Sequence, residues 1–153
     1  MAIAVTIETT VARPPAEVFA RIADIEQWPS WLIASGIVRV QRSSEGPLVE
    51  GEHLVVEQRA AGRAGTFEAG VTALQPPTSL ALHGRDGDGV TIDIDAALAP
   101  DGAGHGTSLR WSIRIGLPLR YRMFESMARP QVERAAALDI EAFKRRLEST
   151  AAD

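Results

Sequence analysis

Residues 2–31 read AIAVTIETTVARPPAEVFARIADIEQWPSW, and this stretch decides the fold. Residues 2–11 alternate apolar or β-branched side chains with small or polar ones. A period of two is typical of a strand with one buried face. Pro14 and Pro15 end this strand and suit the first turn of a helix. The sequence therefore predicts a first strand that leads directly into a helix.

Two short helices are predicted after the proline pair. Apolar side chains recur there at helical spacing, which predicts an amphipathic helix over residues 15–25. Pro29 breaks the helical pattern, because proline lacks the backbone donor of a helix interior. The flanking Trp28 and Trp31 indicate a short second helical turn.

From residue 36 to residue 117 the pattern changes to short alternating segments separated by Gly, Pro, Asp and Ser. Such residues favour hairpin turns, and strands joined by short turns pair antiparallel. Each segment has one apolar and one charged or polar face, so the sheet is expected to be covered on one side only. The predicted strands span residues 37–41, 52–59, 66–74, 79–83, 90–98 and 107–115.

The period becomes helical again after Pro118. Apolar residues recur every three or four positions from Val132 to Leu147. Pro130 either begins a new helix or kinks a long one. The C-terminal helix is the only predicted element large enough to cover the apolar face of the sheet. With four Phe, three Trp and one Tyr to fill the space beneath it, we expect a cavity there.

Composition narrows the possible functions. The 153 residues, 45% hydrophobic and 24% charged, indicate one globular domain over residues 1–153. The absence of cysteine excludes disulfides, zinc–thiolate sites and cysteine nucleophiles. A net charge of −4 without a clustered basic face argues against nucleic-acid binding. No secretory signal and no stretch long enough to cross a membrane is present, so we expect a cytoplasmic protein.

Six segments along the chain carry a family resemblance: ARPPAEVF (12–19), DIEQWPSW (24–31), VTALQPP (71–77), GTSLRW (106–111), RPQV (129–132) and AFKRRLE (142–148). They resemble the helix-grip superfamily known as SRPBCC, which includes START lipid-binding domains, birch-pollen-allergen-like proteins and bacterial polyketide cyclase/dehydrase proteins. The resemblance implies an α+β helix-grip fold: a seven-stranded curved antiparallel sheet around a long C-terminal helix, with two short helices between strands 1 and 2. It also implies a deep hydrophobic pocket.

Candidate ligand-binding residues are those on the inward face of the strands, together with side chains near the expected mouth of the pocket. Gln58 is the one amide among them, and a buried amide needs a hydrogen-bond partner, either a ligand or a backbone group. The tryptophans can cover a ligand or pack in the core. The set is Trp31, Leu54, Val56, Gln58, Phe67, Ala69, Val71, Leu82, Ile92, Ile94, Leu109, Trp111, Ile113, Met123 and Met127.

No catalytic residue is assigned. His53, His83 and His105 are predicted to face solvent, and their spacing does not suit a metal site. Alternation with isoleucine likewise places Asp93 and Asp95 on the outer face. We therefore expect neither a metal nor a nucleotide cofactor.

Three functions remain open at this stage. The first is binding of a hydrophobic small molecule, such as a lipid, polyketide or aromatic compound, between the sheet and the C-terminal helix. The second is a cyclase/dehydrase-type enzyme that uses no metal or nucleotide cofactor, which requires His83, Glu57 or Tyr121 inside the cavity. The third is a protein-interaction module, indicated by a filled core and a large exposed apolar patch. The protein is expected to be a monomer or homodimer.

Overall fold

The computed structural model describes residues 2–60, 62–102 and 105–149. The strands form one antiparallel sheet in the order β1-β7-β6-β5-β4-β3-β2, so that β1 and β2 lie at opposite edges. Two short helical elements separate β1 from β2, and a longer pair follows β7. The strands are β1 (Ala2–Val11), β2 (Ile37–Arg42), β3 (His53–Ala60), β4 (Arg63–Gln75), β5 (Ser79–Asp86), β6 (Thr91–Pro100) and β7 (Thr107–Gly116). The helices are α1 (Pro15–Ala23), a first 3₁₀ helix (Ile25–Ser30), a second 3₁₀ helix (Leu119–Phe124) and α2 (Glu125–Ser149).

The strand register collects the apolar side chains on one concave face. Val5 pairs with Ile113, which pairs with Ile94, then Leu82 and Val71, so one apolar row crosses five strands. Residues two apart share a face, and the same alignment therefore holds for the neighbouring rows. The sheet order, the two short helices and the long C-terminal helix confirm the predicted helix-grip fold.

α2 runs across the concave face and is held at its C-terminal end. The Ala12 amide donates to Glu148 Oε2 at 2.9 Å, and Arg13 Nε donates to the Leu147 carbonyl at 3.0 Å. Among the strands, α2 comes closest to the edge strand β1. The helix therefore packs against the β1 edge of the sheet.

Element boundaries differ from the sequence predictions where glycine or proline occurs. α1 ends at Ala23, and the 3₁₀ helix that follows continues through Pro29. β5 continues past the expected end, through Gly84, where the backbone packs closely on β4: a Cβ there would lie 3.1 Å from Ala69 Cβ. α2 continues through Pro130, so this residue lies inside one long helix and does not begin a new one.

Gly36 is the tightest point of the turn before β2. Its φ is +76°, and its carbonyl accepts a hydrogen bond from the Arg59 amide at 2.8 Å. A Cβ at this position would overlap the Arg59 carbonyl oxygen, so any side chain must displace backbone.

Replacing Gly36 by alanine is expected to lower the free energy of unfolding by about 2–4 kcal/mol, since a left-handed backbone and a steric clash both oppose the new methyl group. Gly62→Ala is the matched control, because Gly62 has a φ of +75° but no atom within 4 Å of the new Cβ. The control should lose only about 1–2 kcal/mol. Urea unfolding measures both, and equal losses would contradict the close backbone approach at Gly36.

Candidate ligand-binding cleft

The space beneath the C-terminal half of α2 is filled by aromatic rings. Trp28, Trp31 and Trp111 contact one another edge to face, with ring centroids 5.4 to 6.1 Å apart, and the Trp31 centroid is 4.6 Å from that of Phe143 on α2. All four side chains are buried, and Trp28 Nε1 donates to the Ile22 carbonyl at 2.8 Å. Trp31 and Trp111 therefore pack against each other in the core.

Most other sequence-predicted binding residues also lie in well-covered positions. Each is less than 10% exposed and belongs to the hydrophobic core or its wall. A charged residue at any of these positions would disrupt folding, so such a substitution does not isolate the effect on binding. They are Leu54, Phe67, Ala69, Val71, Leu82, Leu109 and Ile113.

The remaining part of the concave face is only partly covered. Val56 on β3, Ile92 and Ile94 on β6 and Ile115 on β7 are partly buried. They share this face with Gly84, which pairs with Ile92 and adds no side chain to the face. The helix contributes two small or medium apolar side chains at its N-terminal half, also partly buried: Ala128 and Val132. We call the partly buried apolar surface formed by Val56, Ile92, Ile94, Ile115, Ala128 and Val132 the cleft.

The loop between the first 3₁₀ helix and β2 is held in place by hydrogen bonds on two sides. Gln58 Nε2 donates to the Ser35 carbonyl at 2.8 Å, so a backbone group satisfies this donor of the inward-facing amide. On the other side of the loop, Asp139 of α2 accepts hydrogen bonds from the Ala34 and Ser35 amides at 2.8 and 2.9 Å. The loop is therefore tied to both the sheet and the helix.

Asp139 is a structural residue that the sequence analysis did not single out. Its side chain is 2% exposed, and burial raises its pKa, although the hydrogen bonds from Ser35 and Ala34 oppose this shift. Its position next to Ile140 on the apolar stripe of α2 is the only sequence signal for a buried carboxylate.

Polar side chains join the second 3₁₀ helix to the β5–β6 turn. Arg63 pairs with Asp86 at 3.0 Å and with Asp88, and Arg120 donates to the Asp88 carbonyl. The Tyr121 ring has both guanidinium groups nearby, at 5.9 Å for Arg63 and 4.8 Å for Arg120. Tyr121 therefore contributes to attachment of this helix.

Two surface depressions lie outside the cleft. One has a volume of about 600 Å³ beside the Arg63–Asp86 pair, and the other, of about 270 Å³, lies next to Gln58 at the β3–β4 hairpin. No residue of α2 lines either depression. Neither is therefore the enclosed apolar pocket that the sequence analysis expects between sheet and helix.

Two predicted binding residues stand away from the core. Met123 and Met127 are 77% and 66% exposed, and they lie with exposed Leu119 and Phe124 on the outer side of the second 3₁₀ helix and the start of α2. These four residues are called the apolar patch below. Their exposure means that they line neither the core nor the cleft.

The titratable side chains considered for catalysis do not assemble in the cleft. His83 Nδ1 lies 2.7 Å from Asp93 Oδ1 on the outer face, where both side chains are at least 40% exposed. His53 and His105 are exposed as well. Within residues 2–60, 62–102 and 105–149, no group of three or more His, Asp or Glu side chains is placed to hold a metal ion.

Comparison with known families and structures agrees with this architecture. The family model for polyketide cyclase/dehydrase and lipid transport matches residues 2–148. The chain belongs to this family. No curated protein matches it significantly.

Solved structures of START-like proteins share its fold. A START superfamily protein from Mycobacterium smegmatis superposes with a TM-score of 0.78 at 15% identity, covering 96% of this chain and 98% of that one. The Zhui aromatase/cyclase from Streptomyces sp. R1128 gives 0.76 at 17% identity, with coverages of 97% and 94%. The protein TTHA0849 from Thermus thermophilus gives 0.76 at 12% identity, with 96% and 98% covered. At these identities the likeness shows the family fold alone.

Across the described ranges, no helix is both long enough and apolar enough to span a bilayer.

The buried Asp139 carboxylate makes stability depend on pH in a defined direction. Because its folded pKa is raised, its contribution to stability is fully present below the unfolded pKa and is lost as pH rises through the folded value. Asp139→Asn removes this titration. The difference in unfolding free energy, wild type minus variant, should therefore fall with rising pH across that range.

Urea unfolding at a series of pH values measures this difference. Glu141→Gln, at an exposed position on the same helix, is the control and should give a difference near zero throughout. A difference for Asp139→Asn that is constant with pH would contradict a raised pKa in the folded state.

Proposed function

We propose that the protein binds a hydrophobic small molecule, such as a lipid, polyketide or aromatic compound, in the cleft. The observation that carries this proposal is the partly covered apolar floor: Val56, Ile92, Ile94 and Ile115 face the same side of the sheet and remain partly accessible beside α2. Apolar surface that a fold leaves accessible in a concave site is typical of ligand-binding positions.

Burial of apolar surface supplies the binding free energy. A ligand that buries about 200 Å² of apolar surface gains about 5 kcal/mol before the costs of ordering are subtracted. The aromatic cluster at the closed end and the tethered loop at residues 33–36 form rigid walls, which reduces the ordering cost on the protein side.

The cyclase/dehydrase alternative receives less support from the described residues. Its chemistry requires an acid or base beside the reacting carbons. His83 lies exposed on the outer face, Glu57 alternates with the inward Val56 and Gln58, and Tyr121 lies between two arginines at the second 3₁₀ helix. None of these three lies on the cleft floor.

The apolar patch is the feature that favours a protein-interaction module. Its four side chains are between 47% and 79% exposed. A stable interface needs about 800 Å² per partner, of which roughly 60% is apolar, so the patch would need the polar surface around it to hold two copies together. We propose that the protein is a monomer.

Sedimentation velocity tests the oligomeric state directly. At micromolar concentration the wild type should sediment as a monomer of 16.4 kDa, and Met123→Glu should leave the mass unchanged. A wild-type dimer that Met123→Glu dissociates would instead favour the interaction module.

Binding of the neutral apolar dye Nile red tests the proposed function. Val56→Glu places a charge on the cleft floor and should weaken dye binding by at least about tenfold, which corresponds to about 1.4 kcal/mol. Val56 is suited to this test because its partial exposure lets the chain fold around a new carboxylate, unlike the fully enclosed Leu109.

Arg114→Glu is the matched control, since it introduces the same side chain at an exposed position on the opposite face of β7. It should leave the dye affinity unchanged within about twofold, a difference of about 0.4 kcal/mol. Absence of dye binding to the wild type, or equal losses in both variants, would contradict binding in the cleft. Circular dichroism confirms that each variant is folded.

A further inference from the structure

The apolar patch is the densest group of exposed large apolar side chains in the described residues. Eight such side chains are at least 47% exposed, and four of them lie within residues 119–127. Single exposed apolar side chains are common on protein surfaces, whereas a cluster marks an interaction site. The other four are spread over two loops, β2 and the middle of α2: Ile33, Val38, Val49 and Leu138.

The helical backbone holds the patch together. Met127 lies four residues after Met123 and three after Phe124, the spacing of neighbours on a helix surface. The Glu125 amide donates to the Arg122 carbonyl, so the second 3₁₀ helix and the first turns of α2 form one continuous segment, residues 119–130. The rise per residue of the two helix types keeps the four Cα atoms of the patch within about 15 Å of one another.

This segment turns its polar contacts inward and its large apolar side chains outward. Glu125 is 8% exposed and its Oε2 lies 3.5 Å from Arg129, whereas Met123, two residues earlier, is 77% exposed. Arg120 donates to the Asp88 carbonyl, which attaches the segment to the β5–β6 turn. The fold therefore holds the segment by polar contacts and presents the apolar patch to the outside.

The exposed charges of the segment are positive. Arg120, Arg122 and Arg129 have at least partly exposed side chains, whereas the one carboxylate of the segment is buried. The whole chain carries 16 basic and 20 acidic side chains, so the sign of this surface is opposite to that of the protein. Among the described residues, Asp88 on the attached turn is paired with Arg63, and neither Arg120 nor Arg122 takes part in an ion pair. Exposed apolar side chains among free arginines complement a negatively charged surface.

The size and shape of the apolar patch favour a bilayer over a protein as its partner. A stable protein interface uses about 20–30 residues and about 800 Å² on each side, far more than four side chains and three arginines supply. No residue of the patch lines either surface depression, so the patch offers no groove for a partner's side chain. A bilayer needs no matching shape, because apolar side chains enter the acyl boundary while arginines stay at the headgroups.

We propose that the apolar patch docks the protein reversibly on a bilayer surface that carries anionic phospholipid. The four apolar side chains enter the boundary between headgroups and acyl chains, and Arg120, Arg122 and Arg129 contact the anionic headgroups. This assignment goes beyond ligand binding in the cleft and does not depend on it. Since Ala128 of the cleft follows Met127 directly, docking holds this end of the cleft close to the membrane.

The test measures co-sedimentation of the full chain with vesicles of two compositions. One contains phosphatidylcholine alone, and the other includes about 30% phosphatidylserine, which gives its surface a negative potential. At about 0.1 M salt the wild type should bind the phosphatidylserine vesicles at least about tenfold more tightly, because each arginine at the surface contributes about fivefold. Raising the salt to about 1 M should remove most of this difference, since the Debye length falls from about 10 Å to about 3 Å.

One pair of variants tests the inserted side chains. Met123→Ser removes most of an apolar side chain of the patch and should weaken binding to phosphatidylserine vesicles by about tenfold. Val49→Ser is the matched control, because Val49 is exposed in the loop between β2 and β3, on the far side of the sheet from β7. Its affinity should stay within about twofold of the wild type.

A second pair tests the charges. Arg122→Gln should weaken binding to phosphatidylserine vesicles by about fivefold and leave binding to phosphatidylcholine vesicles unchanged. Arg145→Gln, at an exposed position near the C-terminal end of α2, is the control and should change neither. Circular dichroism confirms that all four variants are folded.

Absence of wild-type co-sedimentation with phosphatidylserine vesicles, or equal affinity for the two compositions, would overturn membrane docking. A loss in Met123→Ser no larger than in Val49→Ser, or in Arg122→Gln no larger than in Arg145→Gln, would also overturn it. Self-association that Met123→Ser abolishes, without vesicle binding, would instead assign the patch to a second copy of the chain. None of these outcomes bears on Nile red binding in the cleft, so failure here leaves the proposed function standing.

Discussion

The central constraint in this protein is that a single helix must cover the concave face of a seven-stranded sheet. Seven strands at about 4.8 Å spacing extend over about 30 Å, whereas a helix with its side chains is about 10–12 Å wide. α2 comes closest to β1, so other elements must cover the rest. The tryptophans and α1 fill one end. Beside the N-terminal half of the helix, Ile115 on β7 and Ile92 and Ile94 on β6 remain partly accessible, and they form most of the cleft floor.

Polar contacts hold the loops and the second 3₁₀ helix in place around the sheet. Asp139 and Gln58 hold the loop before β2 from two sides, and Arg63 and Arg120 contact the β5–β6 turn. Asp139 and Asp86 are buried carboxylates that would be costly to bury without these partners.

The fold was predictable because it depends on repeated patterns. Alternation in seven strands, short turns and one long helical stripe require no knowledge of distant contacts, and the helix-grip arrangement followed from their order. Boundaries at Gly84 and Pro29 were less predictable, since tertiary packing decides whether a strand or a 3₁₀ turn continues through such residues.

The cleft was harder to predict than the fold. Inward-facing positions such as Leu109 and Ile92 have the same pattern in the sequence, yet one is enclosed and the other partly open, because coverage depends on where α2 crosses the sheet. Met123 and Met127 follow a helical spacing that does not reveal which face is exposed. The pairing of Asp139 with the Ala34 and Ser35 amides joins elements far apart in sequence, so local patterns carry little information about it.

Methyl NMR of isoleucine-labelled protein during titration with Nile red tests the central claim most directly, because aromatic rings shift the resonances of the methyl groups they contact. We predict that the methyl signals of Ile92, Ile94 and Ile115 shift with dye concentration, while those of the enclosed Ile22, Ile25 and Ile140 change little. Shifts confined to the enclosed set, or no shift in the three cleft isoleucines on saturation with dye, would contradict a binding site on the open part of the concave face.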